Sequence, residues 1–322
     1  MKTIAVMTSG GDSPGMNAAI RAVVRTGLEY GLEVYGIRQG YTGLLGGDFI
    51  LLGSREVSGI LQRGGTILQT ARNLEFKTPQ GQKKGLRRLN ERGIEGLVVI
   101  GGDGSLHGAL ALHKLGFPVV GIPASIDNDI AGTSMSIGVD TALNTIIEAL
   151  DRIRDTASSH TRAFIIEVMG RSCGYLALIS SILGGAEVVS TPEHEVSIEN
   201  IEAALEAAYV RGKSHAIAIV AEGVSYETTD LVTALRNNPE VGFDVRLSIL
   251  GHIQRGGNPS AFDRLLASRM GVHAVEVLRE GQSGVMVGLG NQDLTTQSIE
   301  EVLIQPRPIS ESYYDLARIL SR

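Results

Sequence analysis

Seven short, unbroken apolar runs recur along the chain, and stretches with helical spacing separate them. The runs are TIAVMT, EVYGI, GLVVIG, PVVGIPA, AFIIEVM, HAIAIVAEG and GVMVGL. A strand covered on one face alternates apolar and polar residues, whereas a strand buried on both faces is apolar throughout. The runs therefore predict a mostly parallel sheet with helices on both sides. The clearest helix follows Gly138, where Val139, Leu143, Ile146, Leu150 and Ile153 fall on one face. Repeated βα units give an α/β fold, and such folds bind ligands at the carboxyl ends of their strands.

Glycine gathers at those ends. The chain holds 41 glycines in 322 residues, about one in eight where roughly 7% is usual. They sit at strand-to-helix junctions, where backbone must turn sharply or lie close to a ligand. Two junctions read alike: TIAVMTSGGDSPGMNAAI and GLVVIGGDGSLHGALAL. Both run strand, Gly-Gly-Asp, Gly, helix. An internal repeat and convergence on one phosphate-holding loop account for the likeness equally well.

Other features narrow the function classes. A net charge of −6 argues against a nucleic-acid protein, which carries a basic footprint. It leaves anionic small molecules open, because a cleft can oppose the global sign. A single cysteine permits no internal disulfide and fits a reducing cytoplasm. The N-terminal MKTIAVMTSGGD reaches glycine too early for a signal peptide. No apolar run approaches the ~20 residues that span a bilayer, so no membrane association is expected.

The phosphate loops lack the usual lysine. AAYVRGKS, Ala207 to Ser214, has Ala207 where the Walker motif needs glycine, and it reads as a helix end. The dinucleotide fingerprint fails because His107 follows Gly102 and Gly104 where glycine is required, and because Glu33 opens the second strand instead of an acid closing it. GRSCG, Gly170 to Gly174, does match the hydrolase elbow G-x-S-x-G, with Glu222 and His252 following in order. A serine hydrolase using Ser172 is thus a rival reading. It lacks an upstream oxyanion loop and leaves the Gly-Gly-Asp loops unexplained.

Charged residues at strand ends point elsewhere. PASIDND places Asp127 and Asp129 directly after one strand, and Asp103 follows the strand before it. If those strands are neighbours, three carboxylates gather beside a phosphate loop, which suits Mg²⁺ and a general base. Arg72, Arg162, Arg171, Arg246 and Arg255 stand at strand ends or glycine turns, with His252 beside Arg255. The arginine fork fits phosphate oxygens in pairs and can replace the missing lysine. Positioned cations, a metal and a base are what phosphoryl transfer requires.

Taken together, TSGGDSPGMNAAIR, RGGT, VVIGGDGS, IDND, DTASSH, EVMGR and LGHIQRGG resemble the bacterial ATP-dependent 6-phosphofructokinases over nearly the whole chain. The resemblance implies two interleaved α/β domains with mostly parallel central sheets. Residues 1–138 plus 254–304 would bind nucleotide, and 139–253 plus 305–322 the sugar phosphate. It implies a cytoplasmic, allosterically regulated homotetramer whose active sites are shared between subunits. The reaction would move the γ-phosphoryl of MgATP to the 1-hydroxyl of fructose 6-phosphate. Asp127 matches the base and Asp103 the Mg²⁺ ligand. Gly11, Tyr41, Arg72, Asn73, Gly102, Asp103, Gly104 and Ser105 match the nucleotide site. Arg72 and Arg171 would stabilise the transferring group. Ser125, Ile126, Asp127, Asp129, Met169, Gly170, Arg171 and Glu222 would hold the sugar. His252 and Arg255 would take its 6-phosphate, with Arg162 and Arg246 from a neighbour. Arg21, Arg25, Arg154, Gly185, Glu187, Arg211, Lys213 and His215 match an effector site for ADP or phosphoenolpyruvate.

The chain departs from the family at Ser125 (usually Thr), Asn73 and Leu74, Tyr175 (commonly Asp), Gly59 (commonly an acid) and Ser214 (commonly Lys). Pyrophosphate-using relatives, the alternative within the family, commonly carry Asp at the position of Gly104 and Lys at that of Ala124.

Overall fold

A computed structural model describes residues 1–321. The chain forms two compact units. The first comprises Met1–Ile126, Ile130–Thr141 and Arg255–Arg307; the second comprises Asp127–Asp129, Ala142–Gln254 and the chain from Pro308 onward.

The first unit is built on a seven-stranded sheet. Its strands are β1 (Thr3–Ser9), β2 (Glu33–Ile37), β3 (Phe49–Leu51), β4 (Gly96–Gly101), β5 (Val119–Pro123), β10 (Val285–Leu289) and β11 (Leu294–Ser298). Their order is β11-β10-β5-β4-β1-β2-β3. The five inner strands are parallel, and β3 and β11 close the edges antiparallel. Alternate residues of β1 and β4 enter two different cores. Ile4, Val6, Val98 and Ile100 pack with α1 (Met16–Glu29) and α9 (Ala261–Arg279). Ala5, Met7, Leu97 and Val99 pack on the other face with α2 (Gly40–Gly46), α3 (Pro79–Glu91) and α4 (Asp103–Lys114). Burial on both faces is why these strands read as unbroken apolar runs.

The chain leaves β1 toward β2 on one side, while β4 lies on the other. The sheet therefore has its switch point between β1 and β4, where open α/β sheets form their ligand crevice. Both Gly-Gly-Asp loops emerge there, since Ser9 at the end of β1 pairs with Gly101 at the end of β4.

The second unit carries a four-stranded parallel sheet in the order β7-β8-β6-β9. Its strands are β6 (Arg162–Val168), β7 (Val188–Ser190), β8 (Ala216–Ala221) and β9 (Asp244–Ile249). Ala163, Ile165, Ala218 and Val220 meet α7 (Ile198–Val210) and α8 (Thr228–Asn237) in one core. Against α6 (Tyr175–Gly184) packs α11 (Glu311–Leu320). All seven apolar runs of the sequence form strands. β3, β7, β9 and β11 were not among them.

The predicted helix after Gly138 is α5 (Val139–Ser158). Its start is locked to the start of α9. Asp263 accepts from the amides of Gly138 and Thr141 (2.8 Å each) and from the Thr141 hydroxyl (2.5 Å). Asp140 accepts from the Ser260 hydroxyl that caps α9 (2.5 Å). Each helix thus lends a carboxylate to the other's N-terminal dipole. Asp263 is fully buried, and that burial raises its carboxyl above the ordinary range despite the bonds it accepts.

Candidate active site

At the switch point, α4 starts directly after Gly102, so its first turn is the loop itself. The Ser105 amide donates back to the Gly102 carbonyl (2.9 Å). The Ser105 hydroxyl is buried without a hydrogen-bond partner, as is that of Ser13 in the β1 loop. Asp103 opens the helix with its side chain 53% exposed. A Cβ on Gly104 would have nothing within 4 Å. The N-terminus of α4 thus stands at the loop, a position that favours an anion.

Tyr41 lies beneath this loop. It is 6% exposed, its hydroxyl donates to the Ser105 carbonyl (2.7 Å), and its ring stacks on Phe76 (4.1 Å between centroids). Burial pushes its hydroxyl pKa far up. Asn73 is likewise internal in its bonding: it accepts from the Phe76 amide (2.9 Å) and donates to the Thr42 hydroxyl (3.2 Å). Tyr41 thus braces the Gly102–Ser105 loop, and Asn73 ties its own turn to Thr42 and Phe76. Arg72 is exposed and forms no ion pair among the described residues.

The first loop meets an arginine. A Cβ on Gly11 would lie 2.5 Å from Nη1 of Arg255, which also donates to the Asp12 carbonyl (3.3 Å). A residue expected at the nucleotide and one expected at the sugar phosphate are thus in contact. Ser125, after β5, lies against the Gly102 loop: a Cβ on Gly102 would be 3.8 Å from its Cβ. β4 and β5 are parallel neighbours, as the acid reading required.

Two residues along the chain, Asp127 belongs to the second unit. Its side chain is 2% exposed, and one carboxylate oxygen sits 3.4 Å from Nε of Arg171, itself half exposed. Arg171 (φ 52°) and Asn128 (φ 54°) both hold left-handed backbone, which costs a non-glycine residue energy and is found at functional sites. Asp129 keeps one oxygen buried and unbonded. No three His, Cys, Asp or Glu side chains among the described residues converge on one point. Asp127 is paired with Arg171, and Asp103 is an exposed carboxylate at the start of α4.

Side chains hold the loop after β6. Gln254 accepts from the Met169 amide (3.0 Å), and Glu222 accepts on one oxygen from the amides of Gly170 and Arg171 (3.3 and 2.7 Å). Ser172 is exposed, and no imidazole hydrogen-bonds to it among the described residues, so the hydrolase elbow has no base. Cys173 is buried, as expected of a small structural residue.

Arg162 and Arg246 share one carboxylate, Asp244, at 3.2 and 2.6 Å. Desolvation alone would raise Asp244, but the two arginines hold its carboxyl below the ordinary range. Sequence reading missed Asp244, although Asp244 and Arg246 stand two apart on a strand and so share a face. His252 is exposed in the turn Gly251–Arg255. Of the effector set, Arg21 and Arg25 stand four apart on α1, where burial and Arg25 lower the Arg21 pKa. In the second unit Arg154 lies 3.5 Å from where a Gly185 Cβ would be, and Glu187 accepts from Lys213 (3.0 Å) and the Ile217 amide (2.5 Å). His215 joins them: burial lowers its pKa, Glu187 raises it, and Arg154 and Lys213 lower it further. Arg211 is exposed at the end of α7.

Residues 3–278 match the family model described as Phosphofructokinase. Over 321 residues, and all of both chains, the sequence is 54% identical to an ATP-dependent 6-phosphofructokinase of Halalkalibacterium halodurans and 53% identical to one of Clostridium novyi. Phosphofructokinase from Saccharomyces cerevisiae superposes at a TM-score of 0.90 with 37% identity; the match covers all of this chain and 48% of the yeast chain. A pyrophosphate-dependent phosphofructokinase from Marinobacter aquaeolei superposes at 0.84 with 22% identity, over 99% of this chain and 91% of that one, which shows a shared fold.

Proposed function

The chain belongs to the phosphofructokinase family and is a kinase that phosphorylates fructose 6-phosphate from ATP; on that premise we infer that Asp127 is the base and that the Gly102–Ser105 loop holds the donor. The observation that carries this reading is the buried Asp127 carboxylate beside Arg171, two residues beyond a serine that lies against the phosphate loop. Asp127 takes the proton of the sugar 1-hydroxyl as that oxygen attacks the γ-phosphorus. The bond to the ADP oxygen breaks, and charge on the transferring group rises toward Arg171 and Arg72. Amides of Gly102–Ser105 and the N-terminus of α4 hold the donor phosphates, with Gly11 and the braced Tyr41 and Asn73 supporting that site.

Mg²⁺ fits this donor set. It keeps several waters and is usually held by one or two carboxylates plus substrate phosphates, and Asp103 supplies an exposed carboxylate at the helix start. When bound it would neutralise charge on the donor phosphates.

The first unit is read as the nucleotide domain and the second as the sugar-phosphate domain. Ser125, Ile126, Asp129, Met169, Gly170, Arg171 and Glu222 hold the sugar, and His252 and Arg255 its 6-phosphate. Arg162 and Arg246, paired on Asp244, serve a neighbouring subunit in a homotetramer. Arg21, Arg25, Arg154, Gly185, Glu187, Arg211, Lys213 and His215 form an effector site for a phosphate-bearing ligand such as ADP or phosphoenolpyruvate. No helix among the described residues is long and apolar enough to cross a membrane; the lone cysteine is the feature that supports a cytoplasmic enzyme.

The test is a coupled assay with ATP and then pyrophosphate as donor, on wild type and Asp127→Ser. Wild type should turn over with ATP, and Asp127→Ser should lose about 10²–10⁴ in kcat, the usual worth of general-base catalysis. A loss under about tenfold, with unchanged pH dependence, would remove Asp127 as base.

A further inference from the structure

The amides of the Met169–Gly174 loop are tied mainly to side chains rather than to a strand. Gln254 takes the amide of Met169, Glu222 those of Gly170 and Arg171, and Glu193 that of Gly174 on both of its oxygens (2.9 and 3.0 Å). Glu222 and Gln254 hold the near end; toward the far end the Cys173 amide turns back to the Gly170 carbonyl (2.9 Å), and Glu193 takes the last amide, that of Gly174. There is no slack at this contact. A Cβ on Gly174 would fall 2.3 Å from the Thr191 Cβ and 2.6 Å from a Glu193 oxygen.

Glu193 sits in a tight turn whose ends bond to each other, Thr191 to His194 and His194 to Thr191 (3.2 and 3.1 Å). α11 grips that turn. The Tyr314 hydroxyl bonds to the Thr191 hydroxyl (2.9 Å), its ring lies 4.1 Å from the His194 ring, and His194 Nε2 is 3.2 Å from Glu311. Tyr314 is pushed up to about 12, chiefly by burial, with Glu193, Glu311 and Cys173 also raising it. Its hydroxyl bonds to Thr191, the residue that a Cβ on Gly174 would meet.

We propose that Glu193 is a positioning residue for the sugar-binding loop, and that α11 sets its place through Tyr314 and the Thr191–His194 turn. This rests on the reading of Met169–Arg171 as sugar-binding. Removing these contacts loosens the loop that meets the sugar and leaves the phosphate loop of the first unit untouched.

The experiment is steady-state kinetics of the full chain as wild type, Glu193→Ala, Glu193→Gln and Tyr314→Phe, varying fructose 6-phosphate and ATP in turn. Amide hydrogen exchange of the Gly170–Gly174 peptide is measured alongside. Losing a hydrogen bond to a charged acceptor should raise the sugar KM on the order of tenfold in Glu193→Ala. Glu193→Gln, which keeps one acceptor oxygen, should sit between it and wild type. Tyr314→Phe should shift in the same direction by less. The ATP KM should stay within about twofold, since the Gly102–Ser105 loop read as holding the donor makes none of the contacts these variants remove. Faster exchange of the loop peptide should accompany the KM rise. An ATP KM that rises as much as the sugar KM, or an unchanged sugar KM with unchanged exchange, overturns the proposal. If Glu193→Ala does not fold, Glu193→Gln and Tyr314→Phe decide alone, and an unchanged sugar KM in both overturns it. A wild type that phosphorylates no sugar from ATP would instead overturn the function on which the proposal rests; faster loop exchange in Glu193→Ala would then still register the structural contact.

Discussion

Replacing Gly11 by alanine should be felt most at the sugar phosphate proposed for Arg255, although Gly11 itself is proposed for the nucleotide loop. The added Cβ would stand 2.5 Å from Nη1 and 3.2 Å from Cζ of Arg255. Comfortable non-bonded contact begins near 3.5 Å, so the guanidinium must retreat by about an ångström. It is the far end of a flexible side chain, so the fold itself should lose no more than about 0.5 kcal/mol. The charged hydrogen bonds that Arg255 would offer a phosphate are worth about 1.5–3 kcal/mol when removed. Displacement forfeits part of that, so the fructose 6-phosphate KM should rise about tenfold. In the proposed reading Gly11 also supports the nucleotide, so the methyl should add a separate effect on the ATP KM. A double-mutant cycle with Arg255→Ala separates the two. In the Arg255→Ala background, Gly11→Ala should no longer change the sugar KM, while its ATP effect persists. An equal rise of the sugar KM in both backgrounds would refute the reasoning, because the methyl would then act without Arg255.

At Gly104 the protein leaves room for a side chain, so Gly104→Asp should melt within about a degree or two of wild type yet lose most ATP turnover through like-charge repulsion of the donor phosphate. Melting curves with kinetics check this, and normal ATP use by the variant would overturn the donor site. Asp263 has a folded pKa raised above its unfolded value of 3.8, so the stability this difference contributes is full below the unfolded pKa and is lost as pH rises through the folded one. The deficit of Asp263→Asn against wild type in denaturant unfolding should therefore be larger near about pH 4 than near about pH 8. A deficit that grows with pH would contradict that sign.

The parallel core was legible because burial on both faces leaves a continuous apolar signal, as in GLVVIG. β11, LTTQS, and β9, DVRLSI, were not, because half of each strand faces outward and polar residues interrupt the run. β3 and β7 have only three residues each, too few for a pattern. Chemistry-bearing residues concentrated within a few positions, as in IDND and GRSCG, also stand out in the sequence. Partners far apart in sequence could not. Glu193 lies 19 residues from Gly174, Asp244 lies 82 from Arg162, Gln254 lies 85 from Met169, and Asp263 lies 125 from Gly138. Each is a lone polar residue until the fold brings it to its partner. Tyr41 shows the converse. Its resemblance to a nucleotide contact was visible, but only the fold reveals that it works from below, through the Ser105 carbonyl.

The placement of β10 between β5 and β11 bears on how such a chain is made. β5 ends at Pro123, and its neighbour on that side begins at Val285. A ribosome adding about 5–20 residues per second needs roughly 10–30 s to cover that interval. Until then β5 presents an unpaired edge with hydrophobic residues on both faces, the kind of surface that recruits other nascent chains. Several of the first unit's strands are thus synthesised early but must wait, and a chain truncated anywhere before Val285 can never finish the sheet it began. The interval between those two strands is therefore where crowded expression or a stalled ribosome should do most damage, and where a chaperone that shields strand edges would raise yield.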